Sequence, residues 1–426
     1  MLDINRIKDH EQEVVAALAK KGWQVDFSKV LKQNADRKQL IFQIEQVKAE
    51  ANKLSASVPL VKKNGGDVQS IFAQVKQLNA SIVDQENAMK VLDAEINQFL
   101  SELPNIPDAD LLEGGKENNR VIKTFKAIPT FAFPIKDHVE LCVSLGLIDY
   151  ERAAKISGTS TWIYKGIGAQ LEWALLNFFI SEHLRDQYEF IMPPHLLNEA
   201  SGYTAGQFPK FVDDVFWLNQ TEPKKFLLPT AETALVNLHR QEILLREQLP
   251  KKYFAYTPCY RYEAGSYRTE ERGMIRGFQF NKVEIVQYTT EEQSDAAFDE
   301  MVLKASSLVE KLGLHYHISK LAAGDCSHGM ARTFDIEVYI PSMKIYKEVS
   351  SVSNARDYQS RRGMMRYKDA VSGKNKYLHT LNASALATSR LIPAIVEQYQ
   401  TKDGSVIVPE VLRPFLGGLS IIQAKK

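Results

Sequence analysis

Along the first hundred positions, apolar residues recur with a helical period. They fall at Leu40, Ile44, Val47, Ala51, Leu54 and Val58, in steps of 4-3-4-3-4. After an interruption the same rhythm returns at Ile71, Val75, Leu78, Ile82, Gln85, Met89, Leu92, Ile96 and Phe99, with Gln85 as its one polar member. Steps of four and three mark a heptad seam, a single narrow stripe that a helix buries against one partner. Between the runs lies Val58-Pro59-Leu-Val-Lys-Lys-Asn64-Gly65-Gly66-Asp67. This segment predicts that Pro59 ends the first helix, the glycines permit a reversal, and Asp67 caps the second. The two arms, over about 28–103, then bury each other as an antiparallel coiled-coil hairpin, closed by Pro104 and Pro107. At about 1.5 Å per residue, a second helix of roughly 30 residues reaches on the order of 45 Å.

Beyond this hairpin the period shortens. A loop-rich stretch over 108–165 leads to an apolar-rich helix, Ala169–Glu182. Strand-like runs follow over 253–263, 276–288, 315–320, 334–340 and 345–353, the last two alternating strongly across Pro341-Ser-Met-Lys344. Strands joined by short turns pair antiparallel. The expected fold is therefore α+β: an N-terminal helical hairpin in 1–107, then an antiparallel sheet flanked by helices in 108–426. A doubly wound nucleotide-binding fold is disfavoured, and neither GxGxxG nor GxxxxGK[ST] occurs.

Composition removes further possibilities. With 426 residues the chain fits two or three domains, and a 44% hydrophobic, 25% charged balance excludes wholesale disorder. Lys+Arg 53 against Asp+Glu 52 leaves a net charge of +1, so nucleic-acid binding must come from local patches. Lys48, Lys53, Lys62 and Lys63 gather toward the hairpin tip, where they suit phosphate contacts and equally suit a solvated helix face. The hairpin alone leaves two readings open, a dimerisation or spacer device and a lever that grips a large partner. Cys142, Cys259 and Cys326 lie far apart, which excludes a disulfide framework and a four-cysteine zinc site; no zinc is expected. No 18-residue apolar run and no signal-like start occur, so a cytoplasmic protein without membrane spans is expected.

The densest chemistry lies at 261–284. Arg261 and Glu263 share strand parity, and so do Arg276, Phe280 and Glu284 after a 12-residue connection. One face would then hold two arginines, a ring and two carboxylates, with Phe280 and Glu284 about 13 Å apart. Guanidinium forks suit phosphate oxygens and a planar ring suits a base. Each residue alone has a plainer reading, as a cross-strand ion pair, a core phenylalanine or a solvated acid; together they favour a site.

Tyr260-Arg-Tyr-Glu-Ala-Gly265 followed by Arg276-x-x-x-Phe280 resembles motif 2 of the class II aminoacyl-tRNA synthetases. Thr257-Pro-Cys-Tyr-Arg, Phe280-Asn-Lys-Val-Glu284, Thr230-Ala-Glu232, Glu348-Val-Ser-Ser-Val-Ser-Asn354 and Leu381-Asn-Ala-Ser384-Ala-Leu-Ala-Thr-Ser-Arg390 narrow the likeness to seryl-tRNA synthetases of the bacterial type. Phe190-Ile-Met-Pro-Pro194 stands where motif 1 is expected, near 185–198, with motif 2 over 257–284 and motif 3 over 381–400. The likeness runs in order along essentially the whole chain.

The resemblance implies ATP-dependent activation of L-serine to seryl-adenylate. Transfer follows to a tRNA with a long variable arm, the serine tRNA and, where present, the selenocysteine tRNA, by a homodimer using Mg²⁺. It implies that Arg261 grips the α-phosphate and the serine carboxylate, Arg276 holds the γ-phosphate, and Phe280 and Arg390 sandwich adenine. Tyr262, Glu263, Val349 and Ser350 would complete the ATP site, with Glu348 and Ser351 as magnesium ligands. Glu348 and Ser351 face opposite ways on a regular strand, so a bulge or strand end near Ser350 is required. Thr230, Ala231, Glu232, Glu284, Asn382 and Ser384 would receive serine, while Ser384 reads equally as the N-cap of a helix over about 385–399. Lys53, Lys62 and Lys63 on the arm, with Arg268 and Arg272 in the motif 2 loop, would meet the tRNA.

Some positions depart from the family pattern. Ala383 and Ala385 replace glycines, Tyr262 replaces a smaller or basic residue, and Arg268-Thr-Glu-Glu-Arg272 lacks a glycine and carries two acids. Two other readings of the likeness are a paralogue that activates serine for another acceptor and a non-charging tRNA-binding paralogue.

Overall fold

The computed structural model describes residues 1–262 and 273–424. The chain divides into two compact units, one of Leu2–Ala16 and Gln24–Leu103, the other of Met1, Ala17–Trp23 and Pro104–Lys426. In the first unit, α1 (Ser28–Lys63) and α2 (Val68–Glu102) form the expected antiparallel hairpin. Ile44, Ala51, Ile82 and Ile96 of the seam are buried. Arg37 pairs with Asp93 across the helices, and Lys48 Nζ lies 2.7 Å from Glu86 Oε1. Asp67 caps α2, its side chain accepting from Gln69 N at 2.8 Å and Ser70 N at 3.2 Å.

Pro59 does not end the first helix as expected; it sits inside α1, which runs on to Lys63. Pro59 lies on the exposed side, so the carbonyl it orphans meets water while Val58 and Val61 stay packed in the seam. The stop comes at Asn64, whose N–H returns to Leu60 O, and at Gly65, whose φ of +71° a β-carbon would strain.

The second unit is built on one eight-stranded sheet. Its strands are β1 (Arg120–Phe125), β2 (Glu189–Phe190), β3 (Lys251–Tyr260), β4 (Gln279–Thr289), β5 (Tyr316–Lys320), β6 (Arg332–Ile340), β7 (Ile345–Arg356) and β8 (His379–Ala387). They lie in the order β1-β5-β6-β7-β8-β4-β3-β2, antiparallel except for the β2–β3 edge pair. All five expected strand runs are present. The expected helix at Ala169 is longer, α3 (Ile167–Arg185), and packs beside α4 (Ser294–Lys311) and α5 (Thr388–Gln398). Edge strand β1 falls in the stretch expected to be loop; five of its six residues are exposed, so no alternating apolar signal marks it.

Period-two alternation gives the sheet two unlike faces. Val283, Ile285, Ile336, Val338, Val352 and Ala383 turn toward the helices, where they meet Leu171, Phe179, Phe298 and Leu391 in the main core. The alternate residues line a polar cavity on the other face. Among the described residues, no helix is long and apolar enough to cross a membrane.

Candidate active site

A cavity of about 620 Å³ opens over the polar face of the sheet. Strand β4 contributes Lys282 and Glu284, β8 contributes Asn382 and Ser384, and β7 contributes Glu348 and Ser351. Thr230, Glu232, Arg261 and Arg276 complete the polar wall. A smaller side pocket adjoins it, lined by Phe280, Val349 and Arg390 together with Arg261, Arg276 and Glu348.

The conflict over Glu348 and Ser351 is resolved by a bulge. Ile336 pairs with Ser350 and Glu337 with Glu348, so Val349 is the extra residue and both Glu348 and Ser351 reach the cavity. Ser350 turns elsewhere, donating its hydroxyl to Ser384 O at 2.5 Å. Ser384 is not an N-cap: it lies within β8, paired with Glu284, and α5 starts only at Thr388. Pairing with β4 on one side and β7 on the other holds this segment extended and overrides the local capping signal.

Strand parity does not gather the arginines as expected. Arg261 follows the end of β3 and Arg276 precedes β4, because the ladder opens before the connection begins. One further bond, Arg261 N to Phe278 O at 3.0 Å, still sets Arg261 at the cavity mouth. Its Nε donates to Pro229 O at 3.3 Å and its guanidinium carbon stands 5.2 Å from the Phe280 ring centroid. Arg390 donates to Glu348 O at 2.7 Å and to Ile275 O at 3.3 Å, which aims it along the side pocket.

Charge inside the cavity is densely compensated. Lys282, only 5% exposed, donates to Thr230 Oγ1 at 2.7 Å and lies 2.5 Å from Glu284 Oε2. Gln359 donates to Glu232 Oε1 at 2.8 Å. Burial, followed by the charge of Glu284, pushes the Glu232 carboxyl up to about 7. Asp335, cross-paired with Ser351, is held well above the usual carboxylate range by burial and then by Glu348. Its Oδ1 has no hydrogen-bond partner among the described residues. A half-buried acid with one shielded, open oxygen beside Glu348 and Ser351 is a hard-oxygen set that suits a divalent cation. No group of three His, Cys, Asp or Glu side chains among the described residues is arranged to hold a metal, so such an ion would need oxygens from its substrate as well.

Of the residues expected at the site, Ala231 is buried in the neighbouring apolar cluster, and Tyr262 is 52% exposed with its ring edge-on to Phe216. Glu263, Arg268 and Arg272 lie outside the described residues. Lys53, Lys62 and Lys63 are exposed on the hairpin; the latter two also complete the last turn of α1, where cations offset the carbonyl end.

Sequence reasoning missed Lys282, Gln359 and Asp335. Lys282 lies in Phe280-Asn-Lys-Val-Glu284, where its parity with Phe280 and Glu284 could have found it; Gln359 carries no such local signal. It also missed the wall over 327–330, pinned by Lys21 Nζ on Met330 O at 2.7 Å and by Asn105 Nδ2 on Gly329 O at 3.0 Å. Burial lowers the Lys21 ammonium to about 8.

With this geometry in hand, comparison with known proteins adds independent findings. The model of the seryl-tRNA synthetase N-terminal domain matches residues 1–107, and that of the tRNA synthetase class II core domain (G, H, P, S and T) matches 216–399. Serine–tRNA ligase 2 of Clostridium acetobutylicum is 56% identical over 98% of this chain and 99% of its own. Serine–tRNA ligase of Syntrophotalea carbinolica is 40% identical over 100% of both chains. Among solved structures, seryl-tRNA synthetase from Pyrococcus horikoshii complexed with ATP superposes with a TM-score of 0.91 at 29% identity, covering 100% of both chains. The cytoplasmic serine–tRNA ligase of Naegleria fowleri shares the fold, with a TM-score of 0.87 at 24% identity, over 100% of this chain and 99% of that one.

Proposed function

The chain belongs to the seryl-tRNA synthetases and is a serine–tRNA ligase of class II, and from that premise we propose how its residues act. ATP and L-serine meet in the cavity; the serine carboxylate attacks the α-phosphate in line, pyrophosphate leaves, and the adenylate passes its seryl group to the terminal ribose hydroxyl of tRNA. The ATP complex of the Pyrococcus horikoshii relative supports the nucleotide. What carries the reading is the convergence of Arg261, Arg276 and Lys282 with the acids Glu232 and Glu284 in one cavity beside the Phe280 pocket.

Each residue has work that fits its surroundings. Arg261, between the two pockets, bridges the serine carboxylate and the α-phosphate, and Arg276 takes the γ-phosphate. Because Arg261 covers the Phe280 ring in the free protein, its swing onto phosphate uncovers the ring for adenine, with Arg390 opposite. Glu232, Glu284 and Thr230 receive the ammonium and hydroxyl of serine, with Ser384 at the hydroxyl end. Buried groups of this kind reject alanine by about 10⁴–10⁵, since their partners would be lost. Glu348 and Ser351, with Asp335 behind them, would hold magnesium, which when bound neutralises charge on the leaving phosphates. No protein nucleophile is required, because positioning and electrostatic complementarity suffice for adenylate formation and transfer.

The N-terminal unit would grip the long variable arm of tRNA, and two chains would pair through 185–198 in the cytoplasm. Exposed Trp173, Phe190 and Met192, the last 85% exposed, support such a pairing face. The test is serine-dependent ATP–pyrophosphate exchange and charging of unfractionated tRNA. Arg261→Ala should remove exchange by at least about a thousandfold while the circular dichroism spectrum is kept. Exchange near the parent rate in that variant would overturn the assignment.

A further inference from the structure

Behind the catalytic face of the sheet lies a buried carboxyl that the reaction does not touch. Glu172, on α3, is 3% exposed. Its Oε1 accepts from Asn281 Nδ2 at 2.7 Å and from Thr388 Oγ1 at 2.6 Å. Asn281 is held the right way round by Tyr256, whose hydroxyl donates to its Oδ1 at 3.2 Å. These two donors sit at consequential places. Asn281 lies on the helix side of β4, directly between Phe280 and Lys282 on the cavity side. Thr388 opens α5, two residues before Arg390.

The segment before α3 reaches the same place. Phe278 N donates to Ser160 O at 3.2 Å, and a β-carbon on Gly277 would stand 2.2 Å from the Trp162 ring. Tyr164, further along that segment, buries its hydroxyl without a hydrogen-bond partner among the described residues. One carboxyl on α3 therefore ties β4 and α5 together behind the side pocket.

We propose that Glu172 is a positioning residue for nucleotide binding: from the rear of the sheet it fixes the strand that presents Phe280 and the helical turn that presents Arg390, setting the gap that the base enters. The inference rests on the base-stacking role given to Phe280 and Arg390 above. Burial pushes the Glu172 carboxyl up to about 7, so below that pH it is mostly a neutral group. An uncharged isostere should then serve the same purpose.

The test is equilibrium ATP and serine binding to the full-length protein, measured by calorimetry, with KM values from pyrophosphate exchange. Glu172→Ala should weaken ATP on the order of tenfold while serine affinity moves less than about threefold, because two donors are freed on the nucleotide side. Glu172→Gln, whose amide oxygen accepts both donors, should restore ATP affinity to within about twofold. A variant that merely loosened the core would weaken both ligands alike and would not be rescued. Should Glu172→Ala fail to fold, Thr388→Val decides, with an expected loss of about threefold for ATP alone. Phe280→Ala is measured in parallel. If it leaves ATP binding unchanged, the base site itself is misassigned. If it weakens ATP while the Glu172 and Thr388 variants bind like the parent, the positioning role is wrong.

Discussion

Glu232 illustrates how much of this chemistry depends on neighbours that are distant in sequence. The family resemblance proposes it as a substrate ligand, but its protonation is set by burial, by Glu284 and by Gln359, which arrives from 127 residues away. In the free protein its carboxyl titrates at about 7, and an incoming ammonium needs it ionised. Below that pH a proton must be shed before serine binds, so serine affinity should fall up to about tenfold per unit. Calorimetry from roughly pH 5.5 to 7.5, in buffers of different ionisation enthalpy, would register the released proton. A flat affinity over that range would show that Glu232 is already ionised. The raised carboxyls of Glu232 and Glu172 also set a sign for stability. The unfolded chain releases their protons first, so they cost the free protein stability as pH rises from the ordinary carboxylate range through about 7. Residue types and parity made Phe280 and Glu284 legible in the sequence, while Glu232 was marked only by the family resemblance. Gln359 and Asp335 were not legible, because only the assembled sheet gives them partners.

Elements were easiest to read where a single period ran without interruption. The hairpin seam emerged from its unbroken heptad and β6 from its near-regular alternation of buried and half-buried residues, whereas β4 is buried on both sides from Lys282 onward. Errors arose where tertiary pairing opposed a local signal. Ser384 has the chemistry of a cap but is paired with Glu284 inside the sheet, and Pro59 has the chemistry of a stop but lies on a face where its lost bond is solvated. The bulge at Val349 is an intermediate case: the sequence demanded an irregularity, since Glu348 and Ser351 cannot share a face without one, but did not say which residue provides it. Deleting Val349 should restore the regular ladder and turn either the acid or the hydroxyl toward the helices. Pyrophosphate exchange should then be lost by at least about a hundredfold, with the circular dichroism spectrum retained. A deletion variant that exchanged pyrophosphate like the parent would show that the paired placement of Glu348 and Ser351 is dispensable.

At the scale of the whole molecule, a near-neutral chain must bind a polyanion through a local surface, and its two units divide the work. The hairpin has its own seam, its own caps and its own cross-helix ion pairs, so its stability is largely internal. The cavity's Arg261, Lys282, Glu232 and Glu348 all come from the other unit. If the hairpin captures tRNA as proposed, activation of serine and capture of tRNA should therefore be separable. Replacing residues 40–99 by a short Gly/Ser linker should leave serine-dependent pyrophosphate exchange within about twofold of the parent, because no cavity residue is removed. The same protein should charge tRNA at least about a hundredfold less well, mainly through weaker binding. Changing Lys53, Lys62 and Lys63 to alanine should give a milder loss that is largest at low salt and narrows as salt is raised, since about three phosphate contacts no longer release counterions. Such contacts read backbone shape rather than bases, so the loss should be alike for every tRNA that carries a long variable arm. An armless protein that charged tRNA as well as the parent would reduce the hairpin to a spacer. One that stayed folded yet lost pyrophosphate exchange would show that the hairpin is needed to build the catalytic cavity.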